Sequence, residues 1–326
     1  MGIKKGVLSI KAAINLYQAL VVSGLEFSAE VWGFDKWEEG EQIQLNAARY
    51  ILRCSSSTSK PALIGELGLM SLYGRRNYKT LVYWMKIISL PNSRLIKHVY
   101  LYSKSQCHKK ANWCANTKGI FIKYGLQEFW DDNKKVYNLD GNNNNNAPDI
   151  RHHINHWKNY VKKKILAFEE NQWLVLIKNP EKYSKLRTYC LFKTKLKLEK
   201  YLYSSNSYGK QLHTSIRTGT NKLEIETGRW NNVEVTQRIC KNCDQKVIED
   251  EVHFVVQCPR YTQFRMELFE KICNISNSNW DLNRNSIQDR FILLANGTQD
   301  EWELKIFELF HIYLVKCFKA RVEVNC

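Results

Sequence analysis

The sequence is short of the residues that punctuate a chain: five Pro and fifteen Gly in 326 residues. That scarcity disfavours a turn-rich sheet protein and favours helices. Long uninterrupted apolar runs are also missing. The most apolar early stretch, Val7 to Val22, is broken by Lys11, Asn15 and Gln18 at helical spacing, which fits an amphipathic helix and excludes a signal peptide or a membrane span. Position 6 is Gly, so Met1-Gly2 lacks the Ser or Thr expected of a myristoylation signal. Ten Cys are too few for a secreted disulfide scaffold of this length, and four potential ligands sit close together. These features point to an intracellular chain, nuclear or cytoplasmic, that is not secreted and has no membrane partner. There is no phosphate-cradling Gly-rich loop, no HExxH, no GxSxG and no Cys-His nucleophile arrangement. No catalytic centre and no small-molecule substrate are expected.

What is present is hydrophobic material, charge and helical periodicity. Hydrophobic residues make up 44% of the chain and aromatics 12%, enough to exclude wholesale disorder. The formal net charge is +17, which points to a polyanionic partner. By segment the balance is +8 over 1–150, +11 over 151–230 and −2 over 231–326. The middle third carries the excess.

Apolar residues three and four apart predict helices over 8–22 and 37–52. A short helix is expected from the Ser59 cap and Pro61 to near Gly68, and another over about 74–88. Residues 103–146 look irregular and end in Asn142 to Asn146, a polar run that reads as a linker. Pro148 and Asp149 open a long helix to about Ile177, and a second basic helix is expected over Ser184–Leu202. After a hairpin-like segment from Arg238, helices follow over about 260–272 and 300–322. The last has a capping box, Thr298 with Glu301, and a core stripe of Trp302, Ile306, Leu309, Phe310, Tyr313, Leu314 and Cys317. The expected fold is mainly α, with helical N-terminal and basic middle regions, a small zinc-stabilised hairpin-helix module and C-terminal helices. The expected divisions are 1–105, 106–147, 148–230, 231–273 and 274–326.

Two constellations bear on function. Cys240 and Cys243 stand as CxxC, His253 follows after nine residues and Cys258 after four more. Three thiolates and one imidazole make a closed tetrahedral set with no position left for a catalytic water, so one structural zinc is expected. His152, His153 and His156, and likewise Cys107, His108 and Cys114, lack a completing ligand and are read as ordinary residues. The second constellation is Lys162, Lys163 and Lys164 with Arg187, Lys193, Lys195, Lys197 and Lys200. Trp157, Tyr160, Trp173, Tyr183, Tyr189, Phe192, Tyr201 and Tyr203 are interleaved with them. Cations with aromatics suit RNA or DNA, phosphates meeting the charges and bases the rings. A protein-interaction module, with the charge serving only solubility, is the alternative reading. A third, a reverse transcriptase enzyme, would rest on Phe129-Trp130-Asp131-Asp132, but the polar flanks of that pair oppose it.

The run Ala62-Leu-Ile-Gly-Glu-Leu-Gly68, Ala29-Glu-Val-Trp-Gly33 with Tyr50-Ile-Leu52, Lys222-Leu-Glu-Ile-Glu-Thr-Gly-Arg-Trp230, Arg238-Ile-Cys-Lys-Asn-Cys243, Ile248-Glu-Asp-Glu-Val-His-Phe254 and Cys258-Pro259 resemble the C-terminal part of a non-LTR (LINE-type, Jockey-like) retrotransposon reverse transcriptase polyprotein. The resemblance implies that 1–105 is thumb-like, that 231–273 is a CCHC module engaging RNA or target DNA, and that the polymerase and endonuclease active sites lie outside this chain. It carries the family's ligands onto Cys240, Cys243, His253 and Cys258, and its catalytic aspartates onto no residue.

Overall fold

A computed structural model describes residues 8–109, 111–139, 150–179, 181–275, 286–297 and 301–322. The fold is mainly helical, and among the described residues the only β pairing is two isolated bridges, Leu67 with Leu198 and Ile239 with Ile248. The Asn142–Asn146 run, Pro148, Asp149 and Thr298 lie outside the described residues.

Two compact units interleave along the chain: 16–44 with 70–172, and 1–15 with 45–69 and 173–326. In the first, the helices Leu72–Ile88 and Ile150–Ile177, the latter as far as residue 172, follow the expected periodicity. Trp157, Val161 and Ile165, spaced at four, are fully buried, whereas Ile150 at the helix start is half exposed. The segment expected to be irregular, 103–146, instead opens on the end of the Leu95–Gln106 helix and is helical over Trp113–Lys123 and Gln127–Asp131, with a 3-10 turn at Asn133–Asn138. Its helices are short and capped from within, Asn112 accepting from the Ala115 amide at 2.9 Å, so no long period marks them. Phe121 and Phe129 from this segment pack on Trp84 and Trp157, with Trp84 and Phe121 centroids 4.7 Å apart, and Trp130 packs on Phe121.

The second unit contains Lys60–Leu67, the helix expected behind Ser59 and Pro61. Ser59 takes the cap position, yet its hydroxyl makes no capping bond. Gly65 has no room for a side chain, since a Cβ there would stand 2.3 Å from Tyr189 Oη. Gly68 ends the helix at φ +61°, where the Leu198 backbone approaches too closely for a side chain. Between them Glu66 is fully buried, accepting from Arg217 Nη2 at 3.0 Å and Tyr201 Oη at 2.6 Å. Arg217 also reaches Glu199 at 3.1 Å. These partners hold the Glu66 carboxyl below its usual range despite its burial.

The basic helix expected over 184–202 does not form as one element. A 3-10 turn at Ser184–Leu186, one α turn at Tyr189–Phe192 and a 3-10 turn at Lys200–Tyr203 replace it. The physical reason is the inward turn between them, where Lys193 pairs with Glu199 and Leu198 bridges to Leu67. Beyond the metal-ligand segment, Thr262–Ile275 and Glu303–Val322 form as expected. Ile306, Phe310, Leu314 and Cys317 of the last helix are fully buried. Ser207–Arg217, Glu224–Trp230 and Ile287–Asn296 are further helices that the periodicity did not mark.

Candidate metal centre

Cys240 and Cys243 sit on the two-stranded turn closed by the Ile239–Ile248 bridge, where Cys240 N–H donates to Val247 O at 2.8 Å. Lys246 adopts φ +52° to bring the chain back. The chain then enters a single widened π turn, His253–Gln257, closed by Cys258 N–H on His253 O at 2.7 Å. That five-residue closure sets His253 and Cys258 on one side, and Asp250 Oδ1 holds the turn's start by accepting from His253 N–H at 2.7 Å.

The result is a compact donor set. The three Sγ atoms and one imidazole nitrogen lie within 4.8 Å of one another, and Cys243 Sγ is 3.5 Å from His253 Nε2. A tetrahedral ion with Zn–S about 2.3 Å and Zn–N about 2.0 Å places its ligands roughly 3.5–3.8 Å apart, so the residues fit a metal of that kind. Cys240, His253 and Cys258 are buried and Cys243 is partly so. Each sulfur also has the backbone amide two residues on donating toward it: Asn242 to Cys240, Gln245 to Cys243 and Arg260 to Cys258. Such amides offset thiolate charge. With only protons to share, the hydrogen bond between Cys240 and Cys258 pushes the Cys240 thiol up to about 12 and lowers that of Cys258. A divalent cation held there would take the place of that shared proton.

Behind the cluster stand residues that the spacing could not show. Cys240 Sγ meets Glu249 Oε1 at 3.6 Å, and Glu249 is held by Asn242 Nδ2 at 3.2 Å and by Arg321 Nη1. With a metal on the thiolate, Arg321 and Asn242 would still satisfy that carboxylate. Arg265 Nη2 donates to Cys258 O at 3.0 Å, and Phe254 packs on Tyr261 and Phe318. Arg321 is more than sixty residues from the last ligand. No local signal could have found it.

Among the described residues no other group of three or more His, Cys, Asp or Glu side chains could hold an ion, so the His152 and Cys107 sets stay apart from any such site. Asp131 and Asp132 are exposed at a helical corner, where Asp132 Oδ1 accepts from Lys134 N–H at 3.0 Å, while Phe129 and Trp130 are buried. No strand hairpin presents that pair.

The eight basic residues expected to meet nucleic acid fare differently. Lys162, Lys163 and Lys164 are all exposed, because the buried Val161 and Ile165 bracket them on one helix. Lys195 and Lys197 are exposed too. Lys200 is exposed but pairs with Glu303 at 2.5 Å. Arg187 bridges Glu226 at 2.7 Å and Glu251 at 2.5 Å inside its unit. Lys193 is 2% exposed and paired with Glu199, so it faces the interior and is corrected from a phosphate contact to a core residue. Some of the interleaved aromatics were expected to be core, and most are. Trp157, Trp173, Tyr189, Phe192 and Tyr201 are core, and of the eight only Tyr203 is exposed. A basic signal was also missed: residues 67–127 contain eleven Lys and Arg and no Asp or Glu. Of these Lys86, Arg94 and Lys109 are exposed.

Comparison with family models, curated proteins and solved structures gives no match.

Proposed function

We propose that this chain binds nucleic acid, that one structural zinc closes its 240–258 segment, and that it represents the C-terminal part of a non-LTR retrotransposon reverse transcriptase, without that enzyme's active sites. The observation that carries the metal part is the gathering of three sulfurs and one imidazole nitrogen within 4.8 Å. All four protein positions of a tetrahedron are then filled, which suits a structural ion. Zinc is favoured over other ions by the thiolate-rich set. Thiolate ligands also fit the reducing, intracellular setting.

The nucleic-acid part is supported by the Ile150–Ile177 helix. Over 150–166 it carries Arg151, Lys158, Lys162, Lys163 and Lys164 and no carboxylate. Exposed Lys86, Arg94 and Lys109 belong to the same unit. Among the described residues the ammonium groups of Lys162, Lys163 and Lys164 form no ion pair, so they are available to phosphates. No helix among the described residues is long and apolar enough to cross a membrane.

The test is zinc per chain by elemental analysis, followed by titration of fluorescent single-stranded RNA and duplex DNA across salt. One zinc and a steep salt dependence are expected. Replacing Lys162, Lys163 and Lys164 by Ala is expected to flatten the log–log slope by about 0.7 to 0.9 for each phosphate that is no longer neutralised. A second reading, a protein-interaction module, is favoured by Leu95, Val99 and Tyr102, which are 78%, 54% and 71% exposed along one face of the Leu95–Gln106 helix. Zinc without nucleic-acid binding would select it.

A further inference from the structure

Within the unit made from 16–44 and 70–172, the stretch 16–32 has a surface unlike the rest of the chain. Eleven of its seventeen residues are exposed and none of the eleven is charged, although a quarter of all residues here are Asp, Glu, Lys or Arg. The two carboxylates it contains are withdrawn: Glu26 is buried on Arg75 at 3.2 Å and Lys79 at 3.3 Å, and Glu30 is partly covered.

What the stretch exposes instead is apolar. Leu20, Phe27 and Val31 are 73%, 78% and 54% exposed, with Leu16, Val21 and Trp32 open as well. The backbone dictates this. Tyr17–Val22 is a widened π turn, so Tyr17 and Val22, five apart, share the inner side, and Ala19, Leu20 and Val21 are left outside together. Further on, Trp32 Nε1 donates to Phe27 O at 2.9 Å, which fixes the second ring beside the first. Phe27 stands out most, and three residues before it the exposed Gly24 leaves a hollow, where a Cβ would meet nothing within 4 Å. The open apolar area is roughly 600 Å², the upper end of what a monomer leaves uncovered. Two copies meeting through it would bury about 1,200 Å², the lower bound for a stable specific interface.

Charge decides what covers it. Nucleic acid finds no cation on this surface, and a charged partner finds no counter-charge. A second copy carries the same +17 and is repelled elsewhere, as at the Leu95–Gln106 face, which lies in the carboxylate-free stretch 67–127. Over 16–32 that repulsion is absent. A twofold contact also needs a self-complementary surface, and a protruding ring next to a hollow is one. We propose that 16–32 is the self-association surface of this chain, two copies meeting about a twofold axis with Phe27 of each seated over Gly24 of the other. The contact depends on neither nucleic acid nor the metal.

Sedimentation velocity of the nuclease-treated full chain, across micromolar concentrations and from low to high salt, tests it. The mass should reach twice 38.5 kDa at the upper concentrations, and salt should preserve or strengthen the dimer by screening its net charge. Phe27→Lys and Gly24→Asp should each weaken it at least about tenfold with melting unchanged, because both positions are exposed. Mixing the two variants should restore a dimer, in which the introduced ammonium faces the introduced carboxylate while the remaining Phe27 still meets the remaining Gly24. Leu95→Ser should leave self-association as it was. A chain that stays monomeric throughout overturns the proposal. So does a dimer that both variants retain, one that Leu95→Ser abolishes, or one that salt dissolves, the behaviour of copies bridged by nucleic acid. Loss in both variants without restoration on mixing overturns the seating of Phe27 over Gly24.

Discussion

In the unit made from 16–44 and 70–172, the core is filled mostly by rings whose polar atoms find one partner each, Trp157 Nε1 donating to Leu81 O at 2.9 Å and Trp84 Nε1 to Tyr100 Oη at 3.1 Å, and its few buried charges are scattered, with Arg76 donating to Asp35 O at 2.8 Å and Glu26 meeting Arg75 at 3.2 Å and Lys79 at 3.3 Å. The other unit buries more of its ions, and links them into networks. Glu66, Arg217, Glu199 and Lys193 form one network, Glu249 and Arg321 form another behind the metal ligands, and Arg187 joins Glu226 to Glu251. The contrast teaches where each is vulnerable. Rings tolerate a change of shape at the cost of packed area, whereas a buried ion tolerates only a change that removes its partner as well.

Withdrawing the proposed ion with a chelator, or substituting Cys258→Ser, tests the contrast most strongly. Structural zinc contributes on the order of 10 kcal/mol to small sites of this kind. The expected outcome is loss of the melting transition of the metal-bearing unit, with the near-ultraviolet dichroism of the tryptophan-rich unit retained. Collapse of both signals would show that the units do not stand separately. Next in size, Arg217→Ala should cost about 3–5 kcal/mol in urea unfolding, because Glu66 and Glu199 lose their guanidinium. Adding Glu66→Gln should recover part of that loss. Trp157→Ala should cost about 3–5 kcal/mol as well, from the cavity it leaves. A fully additive Arg217–Glu66 pair would break the distinction between rings and ions.

The smallest expected effect is on pH. His213 and His311 are buried together, His213 Nδ1 standing 3.0 Å from His311 Nε2, His213 Nε2 facing Ala295 O and His311 Nδ1 facing Ser204 Oγ. Since a carbonyl only accepts, neutral His213 carries its proton on Nε2 and receives one from His311, which in turn accepts from Ser204. An extra proton has no place in that sequence. Burial lowers both, His311 to about 3 from an ordinary 6.5, with the neighbouring His311 and Arg217 also lowering His213, and Lys210 lowering His311. Both groups are therefore neutral when folded and protonate when unfolded. Stability is complete above about pH 6.5 and falls toward acid by about 1.4 kcal/mol per pH unit per histidine. Burial raises the Glu251 carboxyl, which works in the opposite sense. The urea midpoint between pH 7.5 and 5.5 should accordingly be compared with that of His311→Asn. Identical slopes would mean that His311 is charged inside the fold.

Much of this was legible where the pattern is local. The ligand spacing named the four residues that converge, and the stripe from Trp302 to Cys317 named the buried face of the last helix. Legibility failed where a distant partner decides the matter. Lys193 reads as one more cation in a basic run, and only the buried Glu199 and the bridge from Leu198 to Leu67 turn it inward. The helices of 106–139 failed for the opposite reason. They are too short for a period to accumulate, and their rings declare hydrophobicity without declaring a face.

The interleaving of the two units has a consequence for how the protein is made. Glu66 and Arg217 lie 151 residues apart in sequence, and almost everything between 70 and 172 belongs to the other unit. At a synthesis rate of about 5–20 residues per second, the carboxylate leaves the ribosome roughly 8–30 s before its guanidinium exists. Throughout that interval water is its partner. The ring-filled unit, whose segments end at 172, can condense while the first portion of its neighbour waits as an open chain. The ionic unit closes last, as a knot drawn tight from its C-terminal side.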